Sequence, residues 1–416
     1  MALAKPRSGL VTALDIGTTK VCCFIARYEG DNALNITGIG HRVSKGLRAG
    51  AITDMEAAKE SILAAITSAE EMTGETIREV IVNLSGGAPS SKVFNIEIPL
   101  TRDEIGDHDI RRAVMEGYPY EIPEERVPIH TIPVGYGIDG SNGIDNPRGM
   151  FGHRLSVKIN LVTAMESVVR NLSVCVERCH LDIQTIVESA YASGLACLVE
   201  DEMKLGATLI DMGGGTTSIA VFAEGNAVYT ESLPIGGRHV TNDIARGLST
   251  PILHAERLKT LYGNTLPSHT EDRELIDVPS VGEEEHAQAN HVPRSMLTGI
   301  IKPRLEETFE LVRNRLEASG FGRIAGRRAV LTGGACQLQG ARELAAGVLG
   351  KQVRIGRPIR IRGLAEATGG PAFATCAGLL SYALRTPTEW AGKSAFASAR
   401  TSARPGRLGQ WLRENF

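Results

Sequence analysis

Two stretches of this chain join an aspartate to a glycine–threonine turn between apolar strands. Residues 207–221 read ATLIDMGGGTTSIAV: an apolar strand ends in Asp211, and Gly213, Gly214, Gly215, Thr216 and Thr217 precede a second apolar run. Glycines bend the backbone tightly and bring its N–H groups against phosphate oxygens. A carboxylate at the end of a buried strand suits magnesium held through water. Alone, the stretch also fits a plain hairpin whose aspartate caps a turn. Residues 11–26, VTALDIGTTKVCCFIA, repeat the pattern with Asp15, Gly17, Thr18 and Thr19. Asp15 and Asp211 lie 196 positions apart. Two phosphate hairpins at that spacing imply an internal duplication closing on one nucleotide, with the two aspartates as the candidate metal pair. Lys20 is either a cation within reach of the phosphates or an exposed strand lysine.

A third glycine turn, Gly333, Gly334 and Ala335, follows an apolar strand and precedes a helix over roughly 339–348. Together the three stretches resemble the phosphate-1, phosphate-2 and adenosine motifs of the actin, Hsp70 and sugar-kinase superfamily. The resemblance implies an α/β, actin-like ATPase fold: two duplicated halves around a nucleotide cleft, with ATP and Mg2+ as cofactors. The third turn would lie under the adenosine.

A length of 416 residues calls for two to four domains, and 42% hydrophobic with 22% charged residues is a globular balance. A net charge of −3 gives no global pull toward nucleic acid or an anionic surface. The 7 cysteines lack framework spacing, which points to a reducing cytosol. Cys175, Cys179 and His180 sit at helical spacing, but with no fourth ligand in view they read as a buried thiol face. Neither an apolar signal core nor a run of transmembrane length is expected.

The elements that must position these residues follow in order. A strand at 34–41 leads through a glycine-flanked link to Asp54, which caps an amphipathic helix over 55–73. A buried strand, 80–84, closes this ββ-helix-β opening. Residues 85–161 change character, with dense Pro and Gly, short strands at 93–98, 130–136 and 155–162, a charged helix near 105–117 and a mobile glycine-rich loop over 135–149. They read as an inserted α+β unit or a long lid. A helix over 166–179 and a strand over 182–187 lead to VESAYASGLA, a small-residue helix suited to a hinge. Glu188, which opens it, is either a cap at the helix N-terminus or a base orienting water near the γ-phosphate. Gly236 and Gly237 form a further turn at a helix start, a third phosphate contact. Thr250 is expected to cap the next helix with Pro251 at its first position. On that helix Glu256 and Lys259 share a face, as a surface ion pair or, as in relatives, a contact to ribose and adenine. A strand is expected over 275–281, a long helix over 296–318 broken or bent at Pro303, a strand over 352–356 and a second small-residue helix over 369–384. Residues 386–405 are a loose linker. Residues 406–416, GRLGQWLRENF, set Leu408, Trp411, Leu412 and Phe416 on one helical stripe, flanked by Arg413.

The whole chain resembles the FtsA family of actin-like bacterial cell-division proteins. The motifs are residues 14–20, 210–217 and 331–337, the insertion, the run IKPRLEE at 301–307 and the terminal WLRENF. The resemblance implies subdomain 1A from residues 1–84, 162–206 and 361–385, 1C from 85–161, 2A from 207–234 and 309–360, and 2B from 235–308. It implies that 406–416 is a membrane-targeting amphipathic helix for anionic lipid, with Leu408, Trp411, Leu412, Arg413 and Phe416 at the bilayer. Subdomain 2B would dock the C-terminal peptide of the tubulin-like FtsZ; Arg304 and Glu307 match family positions for that docking and otherwise read as an exposed helix pair. The family forms protofilaments with itself, meets other division proteins and works at the cytoplasmic face of the inner membrane at the division site. Its relatives often lack a carboxylate at the place of Glu188, so the resemblance implies an ATP-binding scaffold rather than an enzyme. A sugar or acetate kinase would share the cradle but needs a base over a polar substrate cleft and has no use for a basic amphipathic tail. A pilus-assembly relative shares a 1C-like insertion, and the tail argues against it. Hsp70-type chaperones need a further domain of strands, and MreB-like proteins lack the insertion.

Overall fold

A strand apolar at nearly every position needs cover on both faces of its sheet. In the computed structural model β1 (Leu10–Ile16) is buried throughout, and β2 (Lys20–Glu29) from Val21 to Ala26. They form an antiparallel hairpin, extended by β3 (Ala33–Val43). β4 (Leu47–Arg48) and β5 (Ala51–Ile52) lead to α1 (Met55–Thr73). Asp54 caps α1 by accepting from the N–H groups of Glu56 and Ala57. β6 (Glu79–Leu84) then joins β1 in parallel. The structure describes residues 9–29, 33–101, 104–116, 122–267, 271–282, 290–359 and 361–385.

The segment after β6 encloses a core of its own. β7 (Ser90–Pro99), α2 (Asp107–Glu116), β8 (Arg126–Ile138), β9 (Ser141–Ile144) and β10 (Arg154–Met165) surround Ile98, Ile105, Ile110, Val114, Leu155 and Val157. β7, β8 and β10 run 10, 13 and 12 residues, longer than the short strands expected. The stretch expected as a mobile loop instead carries the β8–β9 hairpin and a return to Arg154. Arg126 ties the root of the unit. Its guanidinium donates to the carbonyls of Ala88 and Thr163 and to the hydroxyls of Ser90 and Thr163, joining the strand that enters to the strand that leaves.

α3 (Glu166–Glu177), β11 (Asp182–Glu188) and α4 (Ser189–Cys197) complete the first half, and α5 (Glu200–Leu205) leads to the second. There β12 (Ala207–Met212), β13 (Thr217–Ala223) and β14 (Asn226–Leu233) form an antiparallel meander. α6 (Gly237–Gly247), α7 (Ile252–Tyr262), the ribbon of β15 (Leu275–Val278) and β16 (Asn290–Pro293), and α8 (Arg294–Ala318) follow. Pro251 itself occupies the cap position of α7, and the buried Thr250 supplies no side-chain cap. α8 runs through Pro303 as one helix; the carbonyl freed by the missing N–H belongs to Gly299, an exposed residue, so it is not left unpaired in the core. β17 (Arg328–Thr332), α9 (Ala341–Leu349), β18 (Gln352–Ile355) and α10 (Ala374–Leu384) end the described body.

The two halves repeat one plan. The first sheet runs β11-β6-β1-β2-β3, and the matching part of the second runs β18-β17-β12-β13-β14. Each is a meander with two parallel strands added beside its first strand. α4 follows the last strand of one sheet and α10 the last strand of the other. They pack on each other in the central core, and a Cβ at Gly378 on α10 would lie 1.9 Å from the carbonyl oxygen of Ala192 on α4. One feature breaks the symmetry. β14 pairs onward with β7 at Glu231 and Ser90, so the second sheet continues through the inserted strands to β9. The insertion leaves the chain in the first half and joins the sheet of the second.

Gly378→Ala should cost about 1–3 kcal/mol by forcing the crossing helices apart. Gly347→Ala on α9, where an added Cβ meets nothing within 4 Å, should be neutral or slightly stabilising. Thermal melts of both variants check the contrast, and equal melting temperatures would mean the crossing yields freely.

Candidate functional site

Both hairpins turn alike. The N–H of Gly17 donates to the carbonyl of Lys20 at 3.0 Å, and that of Gly213 to Thr216 at 2.8 Å. Each aspartate precedes its turn glycine by two residues, and both are buried. The turns touch: a Cβ at Gly214 would lie 2.4 Å from the Thr19 side chain, and one at Gly215 the same distance from Thr18 Oγ1. Between them opens a cleft lined by Asp15, Gly17, Thr18, Thr19, Lys20, Asp211, Gly213, Gly214, Gly215, Thr216, Gly333 and Gly334. Gly333 holds a left-handed φ of 84°, and a side chain there would strike Asp211 Oδ1.

Other expected residues stand behind this wall. Thr217 is fully buried, and its hydroxyl donates to Ile235 at 2.8 Å. The N–H groups of Gly237 and Arg238 donate to the carbonyls of Gly213 and Gly214 at 3.0 and 2.8 Å. The turn at Gly236 and Gly237 thus braces the second hairpin and does not offer those amides to an anion. Around the start of α6, a Cβ at Gly237 would lie 3.3 Å from Ala335 and 3.7 Å from Lys259 Nζ. Lys259 pairs with Glu256 at 2.6 Å and donates to Thr241 at 2.9 Å. Glu188 is the cap of α4. Its oxygens accept from the N–H groups of Ala190 at 3.1 Å and Tyr191 at 2.8 Å, and the side chain is wholly buried. Burial pushes its pKa up to about 8 against those two donors. A base facing the cleft is therefore not what this carboxylate is.

Residues with no motif complete the cleft. Asn83 accepts from the N–H of Ile16 at 2.7 Å and donates to Ser189 at 3.1 Å, and Ser85, Ser189, Ser218, Ala372 and Thr375 also line the wall. The position of Asn83 at the end of a parallel strand was the one available sequence signal. Lys20 donates to the carbonyl of Ala372 and lies 3.4 Å from the ring centre of Phe373.

Electrostatics single out the aspartates. Burial raises Asp15 from 3.8 to about 7, opposed by Lys20 and reinforced by Asp211. Burial also raises Asp211, opposed by hydroxyl donors from Ser193 at 2.6 Å and Thr375 at 2.9 Å and by Lys20. Two desolvated carboxylates, one of them bonded by two hydroxyls, present oxygen donors of the kind hard divalent cations take. Among the described residues, no group of three or more His, Cys, Asp or Glu is placed to hold a metal, and Cys175 and Cys179 are buried thiols.

Away from the cleft, Arg304 on α8 donates to Asp243 of α6 and to Glu307. Leu408, Trp411, Leu412, Arg413 and Phe416 lie outside the described residues, as does the 386–405 linker. No helix among the described residues is long and apolar enough to cross a membrane.

Two copies of one strand plan, packed through crossing helices around paired Asp-x-Gly turns, define an actin-like α/β protein carrying an inserted subdomain. Solved structures share the fold. The PilM-PilN type IV pilus biogenesis complex matches at TM-score 0.64 and 18% identity, covering 90% of this chain and 98% of that one. MreB5 of Spiroplasma citri bound to ADP matches at TM-score 0.54 and 14% identity, covering 95% and 100%. The family profile Cell division protein FtsA matches residues 208–378, and the profile of the SHS2 domain inserted in FtsA matches residues 86–163. Cell division protein FtsA of Rhizobium meliloti (strain 1021) is 42% identical over 100% of this chain and 96% of its own length. The chain belongs to the FtsA family.

Asp15 gives a pH prediction. Between 3.8 and about 7 the folded chain holds a proton that the unfolded chain has released, so stability falls as pH rises through that window. Asp15→Asn removes the effect. In EDTA its melting temperature should exceed the parent's at about pH 7.5, and the gap should close toward about pH 4. A gap independent of pH would refute burial of the charge as its cause.

Proposed function

We propose that this chain is an ATP-binding cell-division scaffold that polymerises with itself and holds the FtsZ C-terminal peptide at the inner face of the cytoplasmic membrane. The observation that carries the reading is the matched pair of hairpins with Asp15 and Asp211 buried at one cleft, in a chain of the FtsA family. An ADP-bound neighbour of the same fold supports the nucleotide.

In this reading the turn amides would take the phosphates, Lys20 would add a cation, and Asp15 and Asp211 would hold Mg2+. The metal, when bound, neutralises phosphate charge that the two carboxylates would otherwise repel. Gly333, Gly334 and Ala335 floor the adenosine, and Glu256 and Lys259 meet the ribose and adenine. With Glu188 committed to the amides of α4, the cleft serves as a binding switch rather than a catalyst. An acidic peptide would dock by exchanging its carboxylate for Glu307 on the fork of Arg304.

The terminal stripe is a reversible hook. Full burial of each of its four large apolar side chains would contribute ~1.5–3 kcal/mol, discounted for partial depth and for ordering a short helix. Each nearby arginine adds ~1 kcal/mol on an anionic leaflet. Trp411 suits the headgroup boundary. Many hooks on one filament bind through effective concentration, so assembly and attachment reinforce each other.

Calorimetry tests the cleft: Asp211→Ala should lose the magnesium dependence of ATP binding, and Gly334→Asp should lose ATP by placing charge and bulk beside the phosphates. Undiminished binding by both would sink the assignment. Separately, truncation after Arg404 or Trp411→Glu should keep ATP binding yet move the protein from anionic liposomes to the supernatant. Continued pelleting of the truncated chain would put the anchor elsewhere.

A further inference from the structure

We propose that Ser193 and Thr375, one from each crossing helix, are positioning residues for Asp211, so that holding the metal and seating α4 on α10 are one equilibrium. The inference rests on the reading of the cleft as a magnesium–nucleotide site.

Both hydroxyls converge on a single oxygen. Ser193 Oγ donates to Asp211 Oδ2 at 2.6 Å, Thr375 Oγ1 donates to the same atom at 2.9 Å, and the two hydroxyls lie 3.0 Å apart. The three residues are buried, and the donors come from 18 and 164 residues away in the chain. Oδ2 is thereby fixed toward the helices, while Oδ1 packs against Gly333 at the edge of the cleft.

Ser193 belongs to a helix of small residues, between Ala192 and Gly194, where alanine would satisfy packing alone. A hydroxyl buried there is costly unless it is bonded, and the bond it makes is to Asp211. It stands next to Ala192, whose carbonyl meets Gly378. Thr375 stands three residues, or nearly one turn, before Gly378 on the other helix. A slide of α10 along α4 by about one ångström stretches at least one of these bonds beyond hydrogen-bonding range. The carboxylate is then free to turn away from the geometry that a small, octahedral cation demands. Conversely, a cation held by Asp211 favours the helix seating in which both hydroxyls reach Oδ2. Partners behind a ligating carboxylate typically govern metal affinity by 10-fold or more.

The test is a calorimetric titration of the full chain with ATP, in magnesium and in EDTA, read as the ratio of the two affinities. Thr375→Val keeps the shape and removes the hydroxyl; it should lower the ratio about 10-fold. Ser193→Ala, a change that favours the helix, should do likewise. Thr375→Ser restores the hydroxyl and should restore the ratio, which a purely steric role would not predict. Asp211→Asn should abolish the magnesium effect. If Asp211→Asn behaves as the parent, the reading of the cleft fails. If it abolishes the effect while Thr375→Val and Ser193→Ala keep the parent ratio, the cleft stands and the positioning role is overturned.

Discussion

Two aspartates placed at the floor of one cleft and taken out of water are a cost to the folded chain, and much of the architecture arranges what offsets it. Lys20 supplies positive charge near both carboxylates. Hydroxyls from α4 and α10 supply donors to one of them. Burial outweighs both, since Asp15 is still pushed up to about 7 and Asp211 is still raised. In the proposed reading, a bound cation would offset the remaining deficit. It also explains why the duplicated plan matters: each half contributes one carboxylate on an equivalent turn, so charges from distant parts of the chain meet only when both halves are folded and docked.

What was legible in the sequence was local. The strand-aspartate-glycine hairpins, the Asp54 cap and the small-residue helices each declare themselves within a few residues. Thr217 shows the limit. In the β12–β13 ladder Asp211 pairs with Ser218 and Met212 with Thr217. Paired residues share a sheet face, so Ser218 joins Asp211 at the cleft while Thr217 turns inward. A motif read as a run of residues misses this alternation by one position. Ser189 and Thr375 were illegible for another reason: they reach the cleft by tertiary packing and carry no spacing signal. Glu188 had two open readings, and burial against the first amides of α4 decided between them.

The inserted subdomain is joined to both halves. Its root, clamped by Arg126, belongs to the first half, yet its sheet continues from β14 of the second. Its strand β8 carries His130 to the centre, where Nε2 accepts the N–H of Glu188 at 2.9 Å and the ring lies 5.3 Å from Tyr191 of α4 and 6.0 Å from Tyr382 of α10. A relative motion of the halves therefore has to shear the Glu231–Ser90 seam or carry the insertion with it.

α10 has one end at the cleft and the other at the last described residues. Thr375 touches Asp211 near its start, and Arg385 closes it. Between them the helix is buried almost throughout, against β1, β2, β6 and α4. In mechanical terms α10 is a rod about 16 Å long. A pull directed along its axis would load its side contacts in shear. Such a load would pass through the packing of α10 on β1, β2, β6 and α4 to Thr375, so a pull on the chain would share its path with the bond that orients one carboxylate of the cleft.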